Sequence, residues 1–320
     1  MSRGILPAIL FAHFFFCPAV PGQSKEVNKS AKVLRPSSKT AAIELIRPVV
    51  VQIGYRARSS QNPILSHGIA GTGFIVSKAG YVVTNLHVIN NTAALLRSQG
   101  ATEVSFTANF AMPNQDLPNL KMIQSFVSVG ADVVDSDQVN DVALLKLQRN
   151  PFAGEVSTNP IQVPPGSPQP RPMEFGVARC STESPAEGEE VLISGYPLSQ
   201  NALVTQRGIV ASQTFRSAIQ PMSFMSAIKE EPNNPDLFYV DAVTNPGNSG
   251  GPVYLPGDSA VVGISEGNLL SPIHWQDGQE VALPRGNQIV EVEQNSGLTI
   301  VVPIRYTIAL LKKNNIPYSK

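Results

Sequence analysis

Cysteine is nearly absent, occurring only as Cys17 and Cys180 in 320 residues. Histidine occurs four times, at His13, His67, His87 and His274, with no two close together. A thiol or histidine cluster able to hold zinc is therefore missing, and no metal or other cofactor is expected. Charge of one sign is missing as well. Lysine plus arginine equals aspartate plus glutamate at 24 each, and no basic stripe is present, so nucleic acid is not expected as a partner. Long apolar runs are also lacking. The longest, Ile5 to Val20, is interrupted by Pro7 and His13 and is shorter than the ~20 residues a membrane span needs. Arg3 precedes that run, and the small residues Ala19 and Gly22 follow it. The pattern reads as a secretory signal over 1–22, cleaved near Gly22, with no stable membrane span afterwards. A lipidated Cys17 does not fit, because FFFC lacks small residues before the thiol. If Cys17 leaves with the signal, Cys180 stands alone as a small buried apolar residue and no internal disulfide forms.

Turn formers are abundant instead. The 27 prolines and 24 glycines, with 42% hydrophobic residues, suit a turn-rich, mostly β globular protein. Residues 23–40 are polar and lysine-rich and read as a flexible leader. Strand-like runs follow: VVVQIGY, then GTGFIVS and YVVTN around the turn Lys78-Ala79-Gly80, then EVSFTANF, FVSVGADVV and DVALLKL. From 151 to 185 the chain is proline-rich and without period, an interdomain connection. Strands resume with EVLISGYP, LVTQRGIVAS, LFYVDAV, GPVYL, AVVGIS and LTIVVP. The tail IRYTIALLKKNN has helical spacing with lysines late, where cations suit the helix dipole. The expected fold is all-β: two six-stranded antiparallel barrels, over 41–150 and 186–303, with a C-terminal helix and tail over 304–320.

Thr244 to Tyr254, TNPGNSGGPVY, crowds glycine and proline around Ser249. The string fits G-x-S-x-G, which suggests an α/β-hydrolase elbow. That elbow requires the order serine, acid, histidine. After Ser249 the only histidine is His274, Asp258 would have to be the acid, and GGPVYL reads as a strand rather than a helix. The elbow fails on order and context. The order His87, Asp141, Ser249 supplies what a nucleophilic serine needs, a base and a carboxylate that orients the base. Taken singly, each of the three is as easily a structural histidine, a turn aspartate and a turn serine.

TNLHV with His87, NDVALLKL with Asp141 and NPGNSGGP with Ser249 resemble the three signatures of trypsin-like serine proteases, closer to the HtrA branch than to digestive trypsins. GTGFIVSKAGYVVTN, SGYPLSQNALVTQRGIVAS and VVPIRYTIALL are similar to supporting blocks of that branch. The resemblance covers about residues 41–315. It implies a chymotrypsin-like double barrel with His87 and Asp141 on the first barrel and Ser249 on the second. It further implies that Ser249 is the nucleophile, that His87 is the base, that Asp141 orients His87, and that the amides of Gly247 and Ser249 hold the oxyanion. Digestive members carry aspartate where this chain has Asn248, so their activation by an N-terminal ion pair does not carry over.

By position relative to Ser249, the resemblance places Val243 and Thr244 in the primary pocket and Ser265, Glu266 and Gly267 along the substrate strand. No aspartate lies at the pocket base and no histidine in GISEG, so small or medium aliphatic side chains are the expected preference. HtrA proteins usually carry one or two PDZ domains after the protease, whereas here the chain ends at Lys320 directly after the expected helix, so a branch member without that module is expected. Asn268 to Gly297 is a long insert holding Trp275, the only tryptophan, and reads as a surface excursion or a lid. The run holding Asp132, Asp135 and Asp137 lacks the glycine and late glutamate of a calcium loop and reads as a polar turn. The expected function is an exported serine endopeptidase, secreted or periplasmic, acting on protein or peptide substrates and on unfolded envelope proteins in quality control. A protease-fold binding or chaperone protein with little turnover, and an esterase, are the competing readings.

Overall fold

The structure of the chain is a computed structural model that describes residues 38–60, 66–112, 126–158, 172–215, 236–285 and 288–320. The expected export signal, most of the leader, and 159–171 of the proline-rich connection lie outside the described residues.

Helix α1 (Ser38–Ile46) leads into six strands: β1 (Val50–Arg58), β2 (Ser66–Ser77), β3 (Tyr81–Asn85), β4 (Glu103–Ala111), β5 (Phe126–Asp137) and β6 (Val142–Leu147). They close an antiparallel barrel in the order β1-β2-β3-β6-β5-β4. Helix α2 (Leu86–Ser98) follows β3. A second closed antiparallel barrel uses β7 (Glu190–Gly195), β8 (Val204–Thr214), β9 (Leu237–Asp241), β10 (Pro252–Tyr254) and β11 (Val261–Pro272). After a small hairpin of β12 (Ala282–Arg285) and β13 (Gln288–Glu291), strand β14 (Glu293–Pro303) completes it in the order β10-β11-β14-β9-β8-β7. Helix α3 (Arg305–Lys313) closes the chain. This is the double barrel expected from the sequence.

Burial explains the strand patterns. Val51, Ile53, Ala108, Ala143 and Leu145 fill the first barrel, and Ile193, Val240 and Val262 the second. A third cluster lies between them, where Phe74, Val83 and Leu144 of the first barrel meet Tyr254, Ile264 and Val302 of the second, under Ile308 and Leu311 of α3. Strand β6 is thus apolar on both faces because both are buried: Ala143 and Leu145 point into the barrel, and Val142 and Leu144 into the seam. Cys180 lies in the same seam, fully buried, and burial pushes its thiol up to about 12, which keeps it unreactive. Lys313, in the last turn of α3, donates to Asp135 on β5 at 3.0 Å. The run expected to be a polar turn is instead strand β5 as far as Asp137, pairing with β6, and turns only over 138–141, where Asp137 accepts the amides of Val139 and Asn140, each at 3.0 Å.

The insert from Asn268 to Gly297 is a β-arm. β11 and β14 stay paired as far as Pro272 and Glu293, and the β12–β13 hairpin lies beyond that pairing. Trp275 on this arm is 59% exposed. Among the described residues no helix is long and apolar enough to cross a membrane.

Candidate active site

The pairing of β3 with β6 ends at Asn85 and Val142, which puts His87 and Asp141 side by side. Asp141 then grips the start of α2 at several points. Its carbonyl accepts from Leu86 N at 3.1 Å and from Asn85 Nδ2 at 3.0 Å. Its Oδ1 accepts from His87 N at 2.8 Å, and its Oδ2 contacts His87 Nδ1 at 2.6 Å. Asn85 is the residue before the helix yet makes no side-chain cap, so the Asp141 carboxylate does that work for a helix amide. Asp141 adopts φ 55 to reach this position, a left-handed conformation that aspartate tolerates better than most residues. A carboxylate can only accept, so the ring proton sits on Nδ1 and Nε2 is left to act as a base.

Burial of the His87 imidazole acts to lower its pKa. The hydrogen bond donated to Asp141, the Asp141 charge and the Glu266 charge act the other way, and the balance lies above the ordinary histidine value.

Ser249 stands between two barrels that hold it through backbone and side chain. Its carbonyl accepts from Thr72 N at 2.9 Å, and its hydroxyl donates to the Glu266 carbonyl on β11 at 2.9 Å. A hydroxyl has one proton, so Ser249 Oγ is not donating to His87 in this arrangement.

The loop before Ser249 has its carbonyls pinned. Pro246 O accepts from Leu198 N at 2.6 Å, and Asn248 O from Gly251 N at 2.9 Å. A trans peptide sets its N–H opposite its C=O, so the amides of Gly247 and Ser249 point away from those donors. Neither amide donates to a backbone acceptor among the described residues. Two amides beside the serine hydroxyl are therefore available to an anion. Gly247 has φ 101, and a Cβ there would fall 2.5 Å from Tyr196 O, so only glycine fits. At Gly250, φ 88, a Cβ would fall 2.0 Å from Thr72 O.

Thr72 joins these parts and was not singled out from the sequence. Fully buried on β2, its hydroxyl donates to Gly247 O at 2.6 Å and accepts from Tyr196 N at 2.9 Å. Its carbonyl accepts from Thr84 Oγ1 at 2.7 Å. Thr72→Val keeps the shape but unpins Gly247 O and leaves Tyr196 N without its acceptor. The expected result is a stability loss of about 1–3 kcal/mol by thermal or urea melts, with kcat on a protein substrate down roughly 10- to 100-fold and KM little changed. Thr72→Ser, which keeps the hydroxyl, should restore most of both.

The expected specificity residues separate. Thr244 is buried, whereas Val243 is 56% exposed and its carbonyl is taken by Gln206 Nε2. Thr244 O accepts from Asn268 Nδ2 at 3.0 Å and Asn295 Nδ2 at 2.9 Å, and Thr244 Oγ1 lies 2.9 Å from Thr299 Oγ1. Asn268, Asn295 and Thr299 are thus further polar residues around Thr244 that the sequence did not point to. Ser265 is buried and its main chain bonds Gly250 and Gly251, while no heavy atom beyond its chain neighbours lies within 4 Å of a Cβ built on Gly267. Asn248 is buried, with its amide nitrogen 3.4 Å from Gln206 Oε1. His274 lies on the arm, 3.9 Å from Glu280.

A family model described as a trypsin-like peptidase domain matches residues 71–264. Serine protease HTRA4 of Mus musculus is 30% identical over 274 residues, covering 82% of this chain and 42% of its own length. Protease Do-like 1, chloroplastic, of Arabidopsis thaliana is 28% identical over 285 residues, covering 87% of this chain and 52% of its own. A protein of Chlamydia trachomatis named as a probable periplasmic serine endoprotease, DegP-like, is 26% identical over 210 residues, covering 65% of this chain and 30% of its own. The chain therefore spans about half or less of the length of these relatives.

Proposed function

Because the chain belongs to the trypsin-like peptidase family, we propose that it is a serine endopeptidase of HtrA type, in which Ser249, His87 and Asp141 hydrolyse peptide bonds of unfolded proteins. The single observation that carries this reading is the two-point contact of Asp141 with His87, at 2.8 and 2.6 Å, together with a serine flanked by two unspent amides. An incoming main-chain N–H that takes the Glu266 carbonyl releases the Ser249 hydroxyl. The hydroxyl then turns to His87 Nε2, loses its proton to that nitrogen and attacks the substrate carbonyl. The amides of Gly247 and Ser249 take the developing oxyanion. His87 passes the proton to the leaving amine, and water completes the cycle by the same route. Asp141 holds the ring and stabilises the imidazolium.

We infer export from the leading apolar run, a reading supported by a relative named as a probable periplasmic protease. A role in quality control is the setting we infer from the HtrA-type relatives. The hydroxyl bound to Glu266 O favours one second reading, a binding protein with little turnover, because it is a resting arrangement. Incubation with unfolded casein separates the two. Progressive cleavage into peptides supports the endopeptidase. Intact casein, with activated esters still hydrolysed, would leave an esterase, and neither activity would leave the binding protein.

A further inference from the structure

A cavity of about 440 Å³ lies on the outer face of the first barrel, lined by β1, β2, β4 and β5 and by Asn201 of the second barrel. Its position relative to Ser249 follows from the chain. On one wall, His67 to Ile69 run directly into Ala70, Gly71 and Thr72, and Thr72 N holds the Ser249 carbonyl. On the other, Asn201 follows the turn in which Leu198 N holds Pro246 O, and the Gln200 carbonyl of that turn accepts from Gln52 Nε2 at 3.2 Å. The cavity is therefore reached from the flank of the serine carried by β2 and that turn, not from the flank carried by β11. On the endopeptidase reading, on which this inference rests, the acyl half of a substrate lies along β11. The leaving-group half then has the flank with the cavity.

The chemistry of the lining is one-sided. Arg56 and Arg58 project outward from β1, since Ile53 and Ala57 face the interior. His67 lies opposite Arg56 in the β1–β2 pairing. Among the described residues neither arginine forms an ion pair and no aspartate or glutamate lines the cavity. The carboxylate nearest in register is Glu103, opposite Arg58 on β4. Thr107, Asn109 and Gln52 add neutral hydrogen-bonding groups. Two guanidiniums with an imidazole and amides form a set that matches a carboxylate, which arginine can take through two parallel bonds.

We propose that this cavity is a subsite for an acidic side chain in the leaving-group half of the peptide substrate, with Arg56 and Arg58 as its specificity-determining residues. Substrates with Asp or Glu shortly after the scissile bond are then preferred, and the preference weakens as salt is raised, because the arginines are solvent-facing.

The test uses the full chain and matched peptides that carry Asp or Asn at successive positions after an apolar segment. The expected result is about a fivefold or greater advantage in kcat/KM for Asp over Asn at one position. In Arg56→Gln/Arg58→Gln that ratio should fall to about one, while turnover of the Asn peptides and fluorophosphonate labelling stay unchanged. The same peptides, made fluorescent, are titrated onto Ser249→Ala to read binding without turnover. Cleavage with equal rates for Asp and Asn, or a ratio that survives the double substitution, overturns the subsite and leaves the endopeptidase standing. Arginine-dependent preference for Asp in binding, with no cleavage by the unaltered chain, keeps the subsite and removes the endopeptidase. No preference in either readout removes the subsite.

Discussion

Ser249→Ala is expected to lower the rate of casein cleavage by about 10⁶-fold while leaving the fold intact. On the proposed mechanism the loss is large because the hydroxyl is the atom that bonds the substrate carbonyl, and no neighbour takes its place. The residual rate should still exceed that of water, since the amides of Gly247 and Ser249 remain to hold the oxyanion. The fold should hardly respond. The hydroxyl makes one hydrogen bond, to the Glu266 carbonyl, and the anchor from Thr72 N goes to the Ser249 main chain. A melting temperature within a few degrees of the unaltered chain, beside the lost cleavage, is the outcome to look for. Casein cleavage within tenfold of the unaltered rate would place the nucleophile elsewhere.

The second large effect is at Asp141. Asp141→Asn should lower kcat by about 10⁴-fold at neutral pH. Both carboxylate oxygens are in use, one on His87 N and one on His87 Nδ1. An amide has only one acceptor oxygen. If its oxygen stays on the backbone N–H, its NH₂ faces Nδ1, the ring proton moves to Nε2, and the base can no longer take the serine proton. The pH profile gives an independent readout. Burial acts to lower the His87 pKa, but the Asp141 hydrogen bond and charge, aided by Glu266, outweigh it. With His87 as the proposed base, the neutral ring is the active form, so activity should rise with pH through a midpoint above the ordinary histidine value. Losing the Asp141 hydrogen bond and charge should move that limb to lower pH.

Stability runs the opposite way. A raised folded-state pKa means protonated His87 favours the fold, fully so below the ordinary histidine pKa. That contribution is lost as pH rises through the folded value. Melting temperatures across this window, for the unaltered chain and Asp141→Asn, measure it.

Much of the architecture was legible because its physics is local. Strand β6 reads as continuous apolar sequence since the barrel interior and the seam each take one face. The histidine, aspartate and serine segments were recognisable because each proposed catalytic residue sits within its own short motif. Helix α2 was not legible. Val88, Ile89 and Thr92 are β-branched, and Asn90 and Asn91 disfavour helix interiors, so local preference argues against it. Its signal was the spacing of the buried residues Leu86, Ile89, Ala93 and Leu96, which packs one face onto the barrel. Thr72 was illegible for another reason: its partner Gly247 O lies 175 residues away. The same holds for Asn268 and Asn295, which meet over the Thr244 carbonyl from opposite ends of the arm. The arm itself has too few apolar residues in alternation to announce strands, and its pairing is imposed by the barrel strands it extends.

The central claim is that His87, held by Asp141, activates Ser249, and a fluorophosphonate probe tests it most directly. The purified chain is treated with the probe, digested, and the labelled residue mapped by mass spectrometry. The account predicts one labelled residue, Ser249, with labelling lost in Ser249→Ala and strongly slowed in Asp141→Asn. A folded chain that takes no label even when an unfolded protein is present, or that takes it at another serine, would contradict the account.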